Sequence, residues 1–133
     1  MPVPFSVEPR SGVPIYLQLI EQVKRAVALG ALLPGEQLPT VKALALELTI
    51  NPNTVARAYR DLERDGVIST SPGRGSFVSG DGAAPARRAV EDLVLAELDG
   101  AFREVHGLGL EVSDVRRLID RALERWYPNG GKA

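Results

Sequence analysis

The segment from Ile50 to Gly66 constrains the fold more than any other part of this chain. Asn51 and Asn53 flank a proline, and an asparagine before a helix can accept a hydrogen bond from a free backbone N–H, so Asn53 is the predicted N-cap. Gly66 suits the left-handed residue that commonly ends a helix. Between these signals, apolar residues recur every three or four positions and predict one buried stripe, formed by Val55, Ala58, Tyr59 and Leu62. The pattern predicts a short amphipathic helix, helix three.

The polar side of helix three carries a threonine and three arginines: Thr54, Arg57, Arg60 and Arg64. Guanidinium groups bind phosphates and guanine edges, and the N-terminus of a helix favours anions, so this face suits a DNA groove. The alternative is an ordinary solvated surface, because nearby acidic residues can form ion pairs within the helix, namely Asp61, Glu63 and Asp65. The flanking elements decide between the two interpretations.

The elements before helix three predict a helix-turn-helix. The proline-rich start as far as Ser11 is predicted to be an extended arm, and helical periodicity then runs from about Pro14 to Leu29. Gln37 to Pro39 could pair as an edge strand. Thr40 is a plausible N-cap for helix two, whose inward side chains are Val41, Leu44, Ala45 and Leu48. Only Thr49 to Pro52 separate helices two and three, and so tight a connection is typical of a helix-turn-helix.

The residues after helix three predict a β-hairpin. Val67 to Thr70 and Ser76 to Ser79 have the composition of short strands, and Ser71 to Gly75 form a loop rich in turn residues. A helix, a helix-turn-helix and then a hairpin is the order of a winged helix. Arg74, between Gly73 and Gly75, suits the minor groove. The alternative for this loop is a solvent-exposed turn without a role.

The sequence resembles the GntR family of bacterial transcription regulators. Nearly all of residues 14–79 takes part, through segments in the family's order and spacing: Pro14 to Gln18, Leu33 to Thr40, Leu44-Ala45, Asn51 to Val55, Ala58-Tyr59, Leu62-Glu63, Gly66 and Gly73 to Val78. The resemblance implies a homodimer on a palindromic operator in double-stranded DNA, with helix three in the major groove and the wing tip in the minor groove. The Asn-Pro-Asn-Thr-Val form is similar to the small YtrA-like branch, which implies a repressor of transporter operons.

Departures from the wider family limit which residue roles carry over. Many members have arginines where this chain has Lys42, Pro52 and Ala56. The base-reading role is therefore transferred only to four residues of the recognition segment: Asn51, Asn53, Thr54 and Arg57. Backbone contacts are expected from Lys42, Arg60 and Arg64, and minor-groove contacts from the Gly73-Arg74-Gly75 tip.

The remainder of the chain predicts a helical dimerisation extension. Residues 80–85 have the composition of a linker, a helix is expected from Ala86 to His106, and Ser113 can cap a second helix that ends before Pro128. Two amphipathic helices bury too little surface to be stable alone, so a second copy is the expected partner. The expected dimer contacts are Val90, Leu93, Val94, Leu98, Ala101, Phe102, Val105, Val115, Leu118, Ile119, Ala122 and Trp126.

Composition limits the location and the type of binding. Cysteine is absent, no secretory signal begins the chain, and no apolar run approaches the roughly 18 residues that cross a bilayer, so a cytoplasmic protein without membrane contact is expected. A formal net charge of -1 argues against nonspecific binding of polyanions. The expected fold is α+β and mostly α, with a winged helix in residues 1–79, a linker in 80–85 and a helical region in 86–133.

Catalysis is not expected from this sequence. His106 is the only histidine, and with no cysteine the chain offers no metal site or nucleophile pair, nor a cofactor motif. About 50 residues after the wing are too few to enclose a pocket of several hundred cubic ångströms within one subunit, so an effector would need a groove between subunits. The competing class is a winged-helix protein-interaction module that never touches DNA.

Overall fold

The structure is a computed structural model that describes residues 4–130. The described residues form five helices and one two-stranded sheet, which confirms the mostly helical α+β prediction: α1 Ile15–Ala28, α2 Val41–Leu48, α3 Pro52–Arg64, β1 Ile68–Ser71, β2 Gly75–Val78, α4 Ala83–Gly107 and α5 Val112–Trp126. The described residues up to Leu93 form one compact unit, and those from Val94 form a second.

The core of the first unit lies where α3 packs against α1 and α2. The predicted stripe on α3 is confirmed, since all four of its side chains are buried. Full burial of a valine or leucine side chain, such as Val55 or Leu62, contributes about 1.5 to 3 kcal/mol. At the edge of this core, Lys24 Nζ of α1 lies 2.9 Å from Asp65 Oδ2 at the end of α3. The most completely buried large side chains are Leu19, Val23, Leu44, Val55, Leu62, Val67, Ile68 and Val78.

The helix-turn-helix is fixed by its caps. Thr40 Oγ1 accepts a hydrogen bond from the Ala43 N–H, which confirms the predicted cap of α2. The predicted cap of α3 was wrong by two residues, because Asn51 precedes the helix and its Oδ1 accepts from the Asn53 N–H at 2.8 Å. Pro52 then occupies the first helical position, where proline costs no hydrogen bond. Gly66 has φ +79° as expected.

The hairpin forms a wing that a third segment supports. β1 and β2 pair antiparallel, with Ile68 opposite Val78 and Ser71 opposite Gly75. The predicted edge strand is present as an isolated bridge between Gln37 and Phe77. Backbone bonds from Leu38 N to Ser76 O and from Val78 N to Glu36 O strengthen this pairing. The wing is thus anchored along β2 as well as by its own turn.

The predicted linker was wrong in its second half. Ala83 to Pro85 already belong to α4, three residues before the expected start at Ala86. Ala86 is fully buried in the core of the first unit, and the Gly82 N–H donates to the Ser79 carbonyl oxygen. The start of α4 is therefore part of the winged-helix unit, because the Ala86 side chain packs into the core of that unit.

The second unit consists of the later part of α4 and of α5. Gly109, with φ +76°, lies in the turn between them. The predicted Ser113 cap was wrong, since α5 begins after Glu111, whose N–H donates to the Asp114 carboxylate at 3.2 Å. Apolar side chains of both helices line an open groove of about 930 Å³: Val94, Leu98, Phe102, Ile119, Ala122, Leu123, Trp126 and Tyr127. None of the described helices is long and apolar enough to cross a membrane.

Candidate nucleic-acid interface

The N-terminus of α3 presents its polar residues to solvent. Asn51 and Asn53 are exposed and Thr54 is half-buried. The side-chain oxygen of Asn51, Oδ1, accepts the capping hydrogen bond, which leaves the side-chain NH₂ group as a donor for another partner. Lys42 of α2 and Asn51 line the same shallow groove at the helix-turn-helix. The structure therefore brings these two predicted contact residues together.

Arg57 does not extend freely into solvent, because it lies against α1. Its guanidinium carbon is 3.7 Å from the centroid of the Tyr16 ring, and its Nη2 donates to the Tyr16 hydroxyl at 3.1 Å. A guanidinium stacked on an aromatic face gains an electrostatic attraction from the ring quadrupole. Tyr16 is thus a site residue to which the sequence pattern assigned no role, although it lies within the segment that carries the family resemblance.

The remaining cations of α3 differ in their surroundings. Arg60 is exposed and has no ion pair among the described residues. Arg64 lies 3.3 Å from the Asp61 carboxylate and 3.6 Å from that of Asp65. Its side chain is 71% exposed, so these pairs are solvent-screened and leave it available to a stronger anion.

The wing tip is held in one conformation by hydrogen bonds. The Arg74 N–H donates to the Ser71 carbonyl oxygen at 2.9 Å, and Gln37 Nε2 donates to the Arg74 carbonyl oxygen at 2.9 Å. Gly75 has φ +121°, a conformation that favours glycine because L side chains are strained in it. The Arg74 guanidinium lies 5.9 Å from the centroid of the Phe77 ring, while its side chain remains exposed.

Tyr59 holds α3 to the segment that leads into α2. Its hydroxyl donates to the Pro39 carbonyl oxygen at 2.7 Å, and burial raises the pKa of Tyr59 well above its ordinary value. Its phenol stays neutral and is a core residue rather than a DNA contact, as its place on the apolar stripe predicted. Among the residues that the structure describes, no cluster of His, Cys, Asp or Glu could hold a metal ion.

These features define a winged helix with an exposed polar recognition helix and an arginine-tipped wing. The sequence model described as "Bacterial regulatory proteins, gntR family" matches residues 15–78. The chain belongs to the GntR family, and within it resembles the YtrA-like members, as the sequence pattern indicated. It is 35% identical over 113 residues to the HTH-type transcriptional repressor YtrA of Bacillus subtilis (strain 168), an alignment that covers 85% of this chain and 87% of the relative.

Solved structures support the same assignment. A crystal structure of a transcriptional regulator from Oenococcus oeni matches with a TM-score of 0.75 and 35% identity, covering 88% of this chain and 97% of that one. The crystal structure of AraR(DBD) in complex with operator ORX1 matches with a TM-score of 0.50 and 27% identity, over 56% of this chain and 93% of the other. The protein is a DNA-binding transcription regulator of the GntR family, and the alternative of an interaction module without DNA binding has no support.

Proposed function

We propose that the protein is a homodimeric repressor whose two winged helices bind the half-sites of a palindromic operator. In this proposal α3 enters the major groove and the wing tip enters the minor groove. The observation that carries it is the exposed face of α3, on which arginines follow a helix N-terminus that faces solvent. A helix N-terminus and guanidinium donors suit both phosphates and guanine edges.

Base reading is assigned to the beginning of α3. Asn51 caps α3, and Asn53, Thr54 and Arg57 lie within its first two turns. In a helix-turn-helix, the N-terminal residues of the recognition helix contact base edges. Lys42, Arg60 and Arg64 are assigned to the phosphate backbone. Arg74 is assigned to the minor groove, with Gly73 and Gly75 allowing a close approach of the wing backbone.

Homodimerisation is proposed to occur through the second unit. Many of the predicted contact residues are exposed in the single chain, among them Leu98, Phe102, Leu118, Ile119 and Trp126. A continuous apolar surface of this kind is typical of an interface, because leaving it in water is unfavourable. A second copy would bury it and would place two recognition helices on one duplex.

The regulated genes and the cellular setting are proposed by analogy. A repressor of the YtrA-like branch is expected to act in the cytoplasm on a transporter operon that includes its own gene. A small-molecule effector would bind in the apolar groove of the second unit, at or beside the dimer interface. Release of operator DNA on addition of a compound is the measurement that would identify such an effector.

Fluorescence anisotropy tests the proposal by comparing binding to the DNA upstream of the protein's own gene with binding to a scrambled duplex of equal length. We expect tight, salt-sensitive binding with a clear preference for the upstream duplex. Arg57→Ala should lose roughly 1 to 3 kcal/mol of discrimination at one operator position, as expected for a base reader. Equal, weak binding to both duplexes, followed by no enriched sequence in a selection from random DNA, would contradict the proposal.

Arg64 offers a matched test of the backbone contacts. Arg64 and Arg117 are 71% and 69% exposed, and each lies 3.3 Å from an aspartate three residues earlier. Arg64→Ala should weaken binding to all sequences alike and lower the slope of log affinity against log salt by about 1 per bound subunit. Arg117→Ala, in the second unit, should leave that slope unchanged. Equal slopes for the two variants would remove Arg64 from the interface.

A further inference from the structure

We propose that Tyr16 is a positioning residue that orients Arg57 for DNA before the operator is bound. The inference rests on the proposed function, in which Arg57 reads the operator, and it extends the recognition surface from α3 to the first turn of α1. Two different contacts carry it. The guanidinium carbon lies 3.7 Å from the centroid of the Tyr16 ring, and Nη2 donates to the Tyr16 hydroxyl at 3.1 Å, so the group is held at two points of the same side chain.

Tyr16 itself is anchored, so it can act as a fixed support. Its ring is partly buried against the hydrophobic core, one residue into α1. The chain before α1 is tied down by Gln18, whose Nε2 donates to the carbonyl oxygens of Glu8 and Val13 at 2.9 and 2.8 Å. Tyr16 is therefore held in place by contacts that do not involve Arg57.

The chemistry of the partner distinguishes this contact from an ion pair. A carboxylate beside Arg57 would hold the guanidinium but would also compete with DNA phosphates for it. Tyr16 offers a ring and a hydroxyl instead of a carboxylate, so it orients the guanidinium while the positive charge of Arg57 remains for DNA. One N–H of the guanidinium is used by Tyr16, and the other donors remain available to a base edge or phosphate.

Preorientation should strengthen binding because an arginine side chain otherwise loses rotamer freedom when it becomes ordered on DNA. Immobilising such a side chain costs about 0.5 to 1.5 kcal/mol, which corresponds to an affinity change of about 2- to 12-fold. The benefit should appear in operator binding and in sequence preference together. If Tyr16 served folding alone, its replacement would change protein stability, but the folded molecules would keep the same operator affinity and sequence preference.

A double-mutant cycle measured by operator anisotropy tests the inference. Tyr16→Leu, which removes both contacts, should weaken operator binding by about 2- to 12-fold per half-site and lower the preference over scrambled DNA. Tyr16→Phe, which keeps the ring, should fall between Tyr16→Leu and the wild type. In an Arg57→Ala background, Tyr16→Leu should have no further effect, because the group that Tyr16 orients is gone. Leu29→Ala, at an exposed leucine at the other end of α1, is the control.

The outcomes separate this inference from the proposed function. If the wild type prefers its operator and the Tyr16 and Arg57 effects simply add, Tyr16 does not act through Arg57 and the inference is overturned. If Arg57→Ala binds like the wild type, the reading role of Arg57 and the inference fail together while operator binding stands. No operator preference in the wild type would contradict the proposed function itself. Urea unfolding of each variant corrects for the folded fraction, and the Phe variant keeps the core contact of the ring.

Discussion

Thr49, in the turn of the helix-turn-helix, carries the clearest backbone strain among the described residues. It has φ 56° and ψ 50°, and no other described residue except glycine has a positive φ. A left-handed conformation costs an L-residue roughly 1 to 2 kcal/mol, and a β-branched side chain is among the least suited to it. The turn imposes this conformation because it must redirect the chain within the few residues between α2 and α3.

Thr49→Gly should therefore stabilise the protein. Relief of the strain exceeds the extra entropy that glycine loses on folding, and we expect a net gain of about 0.5 to 1 kcal/mol in the free energy of unfolding. Urea denaturation measures it. Glu47→Gly, two residues earlier and inside α2, is the control and should lower stability by about 1 kcal/mol. A loss of stability in Thr49→Gly would show that its side chain makes a contact worth more than the strain.

At the residue scale, the sequence predicted which residues of α3 are buried and which are exposed, but it did not predict the hydrogen bonds that these residues make. The periodicity of α3 correctly separated buried Tyr59 from exposed Arg60, because helical geometry alone determines that separation. The choice between Asn51 and Asn53 as the cap could not be made in this way, since both can cap a helix and the position of Pro52 decides. The Tyr16–Arg57 contact joins residues 41 positions apart, and local patterns carry no information on such pairs.

At the scale of elements, the start of α4 is specified by the close approach of Gly82 to Val67, the residue that precedes β1. A Cβ on Gly82 would lie 2.5 Å from the Val67 carbonyl oxygen, and neither backbone can yield without disturbing the hairpin. This close packing explains why the predicted linker was wrong in its second half. Composition marked Gly82 as part of a flexible linker, whereas in the structure a glycine is needed there because its backbone lies against that of Val67.

Gly82→Ala should consequently destabilise the winged-helix unit by about 1 to 3 kcal/mol, the usual cost of overpacking a dense site. Gly100→Ala, within α4, is the matched control, because nothing lies within 4 Å of a Cβ at that position. The control should gain about 0.5 to 1 kcal/mol from a better helix former. Thermal unfolding of both variants measures the difference, and an unchanged Gly82→Ala protein would mean that α4 begins independently of the hairpin.

The wing as an element can be tested apart from α3. Arg74→Ala removes the side chain proposed for the minor groove and leaves the hydrogen bonds of the turn, which use only the Arg74 backbone. We expect weaker operator binding, a lower salt slope and reduced preference for A·T pairs flanking the half-sites, with stability within about 0.5 kcal/mol of the wild type. Binding to operators with altered flanks checks this, and a constant flank preference would place the wing tip away from the groove.

At the scale of the whole molecule, the exposed apolar surface of the second unit should control operator affinity through dimerisation. Replacing Leu98 and Phe102 together by glutamate would place two charges on that surface and should yield a monomer in sedimentation. Loss of the second, linked half-site should then weaken operator binding by about 10²- to 10⁴-fold. Leu29→Glu, at an exposed leucine of the first unit, should remain a dimer. A double variant that still sediments as a dimer would place the interface elsewhere.

The position of Trp126 gives the protein a built-in optical reporter. It is the only tryptophan in the sequence, and its side chain is 77% exposed on the apolar groove of the second unit. An indole emits at longer wavelength in water than in apolar surroundings, so covering this groove should shift the emission to the blue. Dilution of the unlabelled protein would therefore give a dissociation curve from its own fluorescence, and a compound entering the groove would be visible in the same spectrum.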